Sequence, residues 1–347
     1  MITIKEIARL TGVSTATVSN VLNGKSGAAG EAKAQEIITV ANSLQYMPNI
    51  LARNLQQQKT NTIGIITEDL TVFNTPEIVD GIDAYCEKNS YEIILGNMRL
   101  FKRYSNDFTD TPKHHELLDS MVRNMLAKQV EGIIYIGYHC RKISYLPSRM
   151  QIPFAYAYCY SDKNIYPSVI FDDENAAKDV TKLLISKGHR RIGIISGPAS
   201  SYHTKARLKG YKTALEEFGI KVESDIIVYG DWGRFSGYNL ASILLDKKVS
   251  AIFSFNDMMA CGVYEQAAER GLKIGNDISL FGFDNRSISQ GYIPALSTVQ
   301  IPLNEIGHQC AELIFDQIKH QKKRTKRISI PCTILERRSV GAVKNGD

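Results

Sequence analysis

The chain has 347 residues, 44% hydrophobic and 22% charged, with a net charge of +6. This is an ordinary globular composition, long enough for one small domain beside one or two larger ones. No apolar run approaches the ~20 residues of a membrane span and no signal-like segment opens the chain, so a cytoplasmic protein without a membrane partner is expected. The six cysteines are scattered with no Cys-x-x-Cys pair, which predicts buried reduced thiols rather than a zinc site or a disulfide framework.

Thr3 and Glu6 stand at capping-box spacing, so a helix is predicted to begin there, with Ile4, Ile7 and Ala8 on its inner face. Gly12 supplies a chain reversal, and Ser14 is placed to cap a second helix whose inner side is Val18, Val21 and Leu22. Its outer side offers Thr15, Ala16, Thr17, Ser19 and Asn20, small or hydrogen-bonding and without a carboxylate. Such a pair reads as a helix-turn-helix whose second helix enters the major groove; any amphipathic helical hairpin shares the pattern. Residues 1–60 hold six Lys/Arg against three Asp/Glu, half of the whole chain's excess charge.

The run Val13–Asn23, VSTATVSNVLN, closely resembles the head of the lactose/galactose repressor family. The resemblance implies a third helix, a hinge and a sugar-binding body. Ala34, Ile37, Ala41 and Leu44 share one face of the predicted third helix. Before it, Gly24-Lys25-Ser26 lacks the earlier glycine of a phosphate loop, since Ser19 stands there. The chain departs from the family at the start of this helix, with Gly30, Lys33 and Ala34 where a capping Ser and a Thr-Arg pair are usual; Lys33 keeps one backbone contact. Pro48 suits the first turn of a hinge helix at about 48–56, closing a DNA-binding head over 1–58. In the family this segment enters the minor groove, where Leu55 matches the wedge and Ala52 the small residue beside it. The implied DNA-binding set is Thr3, Ser14, Thr15, Ala16, Thr17, Ser19, Asn20, Asn23, Lys33, Tyr46, Asn49, Ala52, Arg53 and Leu55.

From Asn61 the pattern alternates strand and helix. Strands are predicted at Thr62–Thr67, Tyr91–Leu95, Gly132–Ile136 and Phe154–Tyr158, then at Val169–Phe171, Ile192–Ser196, Ile226–Tyr229, Ala251–Phe255 and Ser279–Phe283, with helices between. Two such series make an α/β body of two doubly wound parallel-sheet lobes over 59–340, the first about 61–161 and 288–320, the second about 162–287 and 321–340. Neither G-x-G-x-x-G nor G-x-S-x-G appears where a dinucleotide enzyme or a serine hydrolase needs it. His114-His115 read as surface histidines at a helix start, not metal ligands.

Polar residues cluster at predicted strand ends, where this fold builds sites: Asp172-Asp173, Arg207, Asp231-Trp232, Asn256-Asp257 and Asp284-Asn285. Carboxylates, an amide, a guanidinium and the chain's one Trp suit a sugar's hydroxyl pairs and apolar ring face. Each also has an ordinary reading: Asp173 and Asp257 as helix caps, Trp232 as core packing, Arg207 as a surface ion pair. The resemblance, now running from Ile2 to Val340, implies a periplasmic-binding-protein-like body with an effector set of Asp69, Asp172, Arg207, Trp232, Asn256 and Asp284. Glu68–Phe73 departs from the family pattern, and Glu68 and Asp69 are expected to add ligand contacts. No leucine heptads follow Arg338, which points to a homodimer. The expected protein is a nucleoid-associated repressor of carbohydrate-utilisation genes, released from double-stranded operator DNA by a sugar, a galactoside. It has no cofactor, metal or catalytic residues. The alternatives are a periplasmic-type sugar-binding protein, a regulator using a co-repressor, and a sugar-modifying enzyme using Asp172, Asp231 or Asp284.

Overall fold

The computed structural model describes residues 2–25, 27–46, 59–104, 111–145, 150–161, 165–320 and 325–343. Two compact units result, Met1–Thr60 and Asn61–Asp347. The hinge segment, including Asn49, Ala52, Arg53 and Leu55, lies outside the described residues.

In the first unit, α1 (Ile4–Thr11), α2 (Thr15–Leu22) and α3 (Glu31–Ser43) close on a core of Ile7, Ala8, Val18, Val21, Ile37 and Ala41. Ala34 and Leu44 pack at its edge. Gly12 turns the chain at φ +64°, a conformation costly for any residue with a Cβ. Ser14 caps α2 by accepting the Thr17 N–H at 3.0 Å. The capping box at Thr3 does not form. Thr3 occupies the cap position without a side-chain bond: the Glu6 N–H reaches the Thr3 carbonyl at 3.0 Å, and the Glu6 carboxylate pairs with Arg9 at 2.7 Å.

In the second unit, β1 (Thr62–Thr67) is buried at every residue, as a continuous apolar run in a parallel sheet requires. Then come α4 (Thr75–Lys88), β2 (Glu92–Asn97), α5 (Pro112–Ala127), β3 (Gly132–Ile136), β4 (Phe154–Ala157) and β5 (Ser168–Phe171). Next are α6 (Asp173–Ser186), β6 (Ile192–Ser196), α7 (Tyr202–Glu217), β7 (Ile227–Tyr229), α8 (Arg234–Asp246), β8 (Ala251–Ser254), α9 (Asp257–Glu269) and β9 (Ser279–Phe281). The chain ends with β10 (Thr298–Gln300), α10 (Leu303–His320), β11 (Arg327–Ile330) and β12 (Thr333–Leu335). The first sheet has the order β11-β5-β4-β3-β1-β2 and the second β9-β8-β6-β7, both parallel.

Sheet membership moves the lobe boundaries. The second lobe is not entered near 162: Ser168–Phe171 pairs with β4 and β11, so the first crossing comes at Asp172. Nor does the second lobe hold the whole C-terminal piece. Arg327–Ile330 joins the first sheet, while Thr333–Leu335 pairs antiparallel with β10; Ser297, just before β10, bridges Phe281 of the second sheet, and Gln300 bridges Asp284 beyond it. Pro331, without an N–H, separates the two. α10 returns to the first lobe against α4. A Cβ on Gly81 or Gly307 would overlap the opposing helix's backbone, so glycine permits that approach. His114 is buried, contrary to the surface reading, while His115 stacks on Tyr145 at 3.8 Å. Among the described residues no helix is long and apolar enough to cross a membrane.

Candidate functional site

The strand ends of the two lobes face each other across a cavity of about 200 Å³. The first lobe contributes Val72, Phe73 and Asn74 from the start of α4, Tyr138 and His139 from the loop after β3, and Tyr158. The second contributes His203 and Arg207 from α7, Trp232, Asn256, Asp284 and Arg286. Four predicted effector residues, Arg207, Trp232, Asn256 and Asp284, therefore meet in one place. Asp69 and Asp172 do not.

Asp69 is consumed by its own turn: Oδ1 accepts from Thr71 N–H and Oγ1 at 3.0 and 2.6 Å, and Oδ2 from Phe101 N–H at 3.1 Å. Glu68 is likewise internal. It takes two bonds from Arg141, at 2.6 and 2.5 Å, with others from Tyr135 Oη and Tyr138 N–H. Burial opposes its charge, but Arg141 and these donors outweigh burial and hold the carboxyl below its usual range. Its chemical product is a fixed loop: Glu68 anchors the segment that carries Tyr138 and His139 to the cavity.

Asp172 and Asp173 have exchanged the expected roles. Asp172 caps α6 through Asn175 N–H at 3.0 Å and Nδ2 at 2.7 Å. Asp173, one residue inside the helix, is buried and accepts from Arg207 Nε at 2.6 Å and His203 Nδ1 at 2.7 Å. Burial works against its ionisation, yet His203 and Arg207 prevail and keep the carboxyl below its usual value. Position N1 also sets the charge at the positive end of a helix. The same division recurs at the next strand end. Asn256 caps α9 through Met259 N–H at 2.8 Å, and Asp257 is buried, accepting from Thr298 Oγ1 at 2.7 Å and Arg286 N–H at 2.8 Å. Burial lifts Asp257 to about 6 despite those donors.

Arg207 is thus no surface ion pair. Only 3% of its side chain is exposed; besides Asp173 it bonds the Phe255 carbonyl and lies 3.4 Å over the Phe283 ring. Across from it, burial raises the Asp284 carboxyl well above the usual range, against the pull of Arg207 and reinforced by Asp257. Trp232 adopts φ +73° and Asp284 φ +108°, rare for residues with a side chain. Asn256 Nδ2 holds the Trp232 carbonyl at 2.9 Å, and a Cβ on Gly197 would fall inside the indole, so Gly197 makes room for the ring. Phe73, Asn74, Tyr138, His139, Tyr158, His203 and Arg286 were not predicted. All but His203 and Arg286 come from first-lobe loops without a chemical motif, and His203 shows its role only beside Asp173. Asn74 was traceable as the residue before Thr75-Pro76, a helix start at a strand end.

The head by itself presents Ser14, Thr15, Ala16 and Asn23 exposed, with Thr17, Ser19 and Asn20 half-buried beside them. Four of these are tied locally in two pairs: Asn23 Nδ2 reaches Ser19 Oγ at 3.3 Å, and Ser14 Oγ meets Thr17 Oγ1 at 2.9 Å. Thr3 is exposed, Tyr46 is half-buried, and Lys33 pairs with Glu36 at 2.7 Å. Among the described residues no group of three His, Cys, Asp or Glu side chains could hold a metal ion.

The lacI-family profile of bacterial regulatory proteins matches residues 3–49, and a periplasmic binding protein-like domain matches residues 181–340. Catabolite control protein A of Priestia megaterium is 34% identical, over 97% of this chain and 99% of its own. The HTH-type transcriptional repressor PurR of Klebsiella pneumoniae is 30% identical, over 98% of this chain and 97% of its own. A solved lac repressor dimer, bound to operator and the anti-inducer ONPF, superposes with a TM-score of 0.79 at 24% identity, covering 98% of this chain and 99% of that one. With the helix-turn-helix head, the two-lobed body and relatives of 30% and 34% identity over nearly the whole chain, the chain belongs to the lacI family of bacterial regulatory proteins.

Proposed function

We propose that this regulator is a homodimeric cytoplasmic repressor of carbohydrate-utilisation genes, released from its operator by a neutral sugar, with no catalytic role. One observation carries the effector reading: Arg207, the buried cation at the cavity, is already engaged by Asp173 and the Phe255 carbonyl, so its charge is met within the protein and is not left for a phosphorylated ligand. Rings from both lobes, Phe73, Tyr138 and His139 opposite Trp232, provide flat apolar faces, while Asn74, Asn256, Arg207 and Asp284 offer hydrogen bonds to hydroxyls. A galactoside fits this chemistry.

On DNA, Thr15, Ala16, Thr17, Ser19 and Asn20 would face base edges, with Thr3, Ser14, Asn23, Lys33, Tyr46, Asn49 and Arg53 on the backbone. Leu55, with Ala52 beside it, would wedge the minor groove. A sugar that favours one arrangement of the lobes weakens operator binding by the factor by which operator weakens sugar binding. Calorimetry with galactosides on the wild type and Trp232→Ala tests this. Binding is expected in the wild type and lost in the variant, which keeps operator affinity but no longer responds to the sugar. Binding only of a purine or a phosphorylated ligand would replace the sugar reading with a co-repressor one. Leu55→Ala is expected to lower specific operator affinity and DNA bending while leaving sugar binding intact.

A further inference from the structure

His203 lines the cavity, yet both of its nitrogens are engaged by protein. Nδ1 lies 2.7 Å from Asp173 Oδ2, and Nε2 accepts the backbone N–H of Cys140 at 3.3 Å. A peptide N–H can only donate, so Nε2 carries no proton and the ring's hydrogen sits on Nδ1, directed at Asp173. Cys140 follows β3 in the first lobe, whereas His203 belongs to α7 in the second. The other oxygen of Asp173 seats Arg207. One buried carboxylate thus joins the cavity's arginine to a bond that crosses between the lobes. A second crossing bond lies beside it, His139 Nε2 to Ser201 Oγ at 2.9 Å, with the two imidazoles edge to face at 4.4 Å.

We propose that His203 is a positioning residue: uncharged, with its proton on Nδ1, it ties the seat of Arg207 to the arrangement in which the lobes touch. The proposal rests on the effector reading only for what occupies the cavity. A proton on Nε2 would set donor against donor at Cys140 and break the crossing bond. The groups facing His203 are Asp173 from α6, Arg207 and Tyr202 from its own helix, His139 and Cys140 from the loop after β3, and Tyr158 and Phe171 from strand ends. Burial is the largest influence holding His203 below its usual value, with Asp173 opposing and Arg207 adding. Burial likewise depresses His139, helped by His203, Arg207 and Arg141. Separating the lobes hydrates both rings and restores their affinity for protons. At these two rings closure releases protons and acid favours the open form, while the Asp284 carboxyl, raised by burial, works in the opposite direction.

The test uses the full chain without added small molecules, labelled with ¹⁵N-histidine, and His203→Asn to assign the His203 resonances. Asparagine retains an N–H for Asp173, but its shorter side chain stops the amide oxygen short of the Nε2 position that accepts from Cys140. An unprotonated Nε2 is expected at pH 7.5. Hydrogen exchange of the segment containing Cys140 is expected to quicken several-fold in His203→Asn, with protection of strand 132–136 unchanged. In the wild type the same quickening, beyond the intrinsic pH effect, should follow the His203 titration. An Nε2–H tautomer, or equal Cys140 protection in both proteins, overturns the proposal. If His203→Asn loses protection in strand 132–136 as well, the wild-type tautomer and its pH-dependent exchange decide alone. Failure of the sugar reading would show only in calorimetry and leaves these readouts unchanged.

Discussion

Replacing Arg207 with Met keeps the length of the side chain and removes its charge. Asp173, with 1% of its side chain exposed, would then lose its guanidinium partner inside the protein. Breaking a buried pair from one side costs about 3–5 kcal/mol, because the remaining charge has neither water nor a counterion. The stranded Phe255 carbonyl and the lost contact over the Phe283 ring fall within the same figure, since the three share one side chain and do not add. The deficit should depend on pH. Arg207 helps to depress His203, so its removal raises the affinity of His203 for a proton, with Asp173 as sole counterion. In the wild type a value lowered in the folded state costs stability as pH falls below the unfolded value, near 6.5, and removing Arg207 lessens that acid-side cost in the variant. Urea unfolding of both proteins should show the full deficit at pH 8 and a smaller one at pH 5.5, the recovery limited by the sacrificed Cys140 bond. A deficit below about 1 kcal/mol, or one equal at both pH values, would refute the pairing of Asp173 described above.

Gly197→Ala should cost about 1–3 kcal/mol by forcing the indole aside and should shift the emission of the chain's single Trp; unaltered fluorescence and Tm would exclude the contact. Glu68→Gln leaves Arg141 unpaired at the cavity loop. In the wild type the depressed Glu68 carboxyl contributes stability present above its usual range and lost as pH falls through its folded value, so the variant should show a weaker acid-side decline in Tm. Ser14→Ala should destabilise the head by about 0.5–2 kcal/mol, seen as faster hydrogen exchange in residues 15–22 with the body unaffected. Asn20→Ala should flatten preference at one base pair per half-site by about 1–3 kcal/mol; a uniform loss on all sequences would make Asn20 a phosphate contact.

The helix-turn-helix is readable from residues alone because its signals are local: Gly12, the Ser14 cap and apolar positions at helical spacing act within a few residues of one another. The alternating body is legible for the same reason, since a strand buried on both faces needs an unbroken apolar run such as Thr62–Thr67. Even the strand-end rule brought Arg207, Trp232, Asn256 and Asp284 to one cavity. Tertiary structure decided what depends on distant partners. Asp172 and Asp173 are the same residue type in adjacent positions. The helix N-terminus turns one toward solvent as a cap and the other inward, and only the fold places Arg207 and His203 beside it. Glu68 and Asp69 differ from a ligand pair because Arg141, Thr71 and Phe101 saturate them first. Val169–Phe171 reads as the opening strand of a second series, yet it pairs with a segment more than 150 residues later, within Arg327–Ile330. Which sheet a parallel strand joins is set by hydrogen bonds to neighbours remote in sequence, and no local pattern encodes that choice.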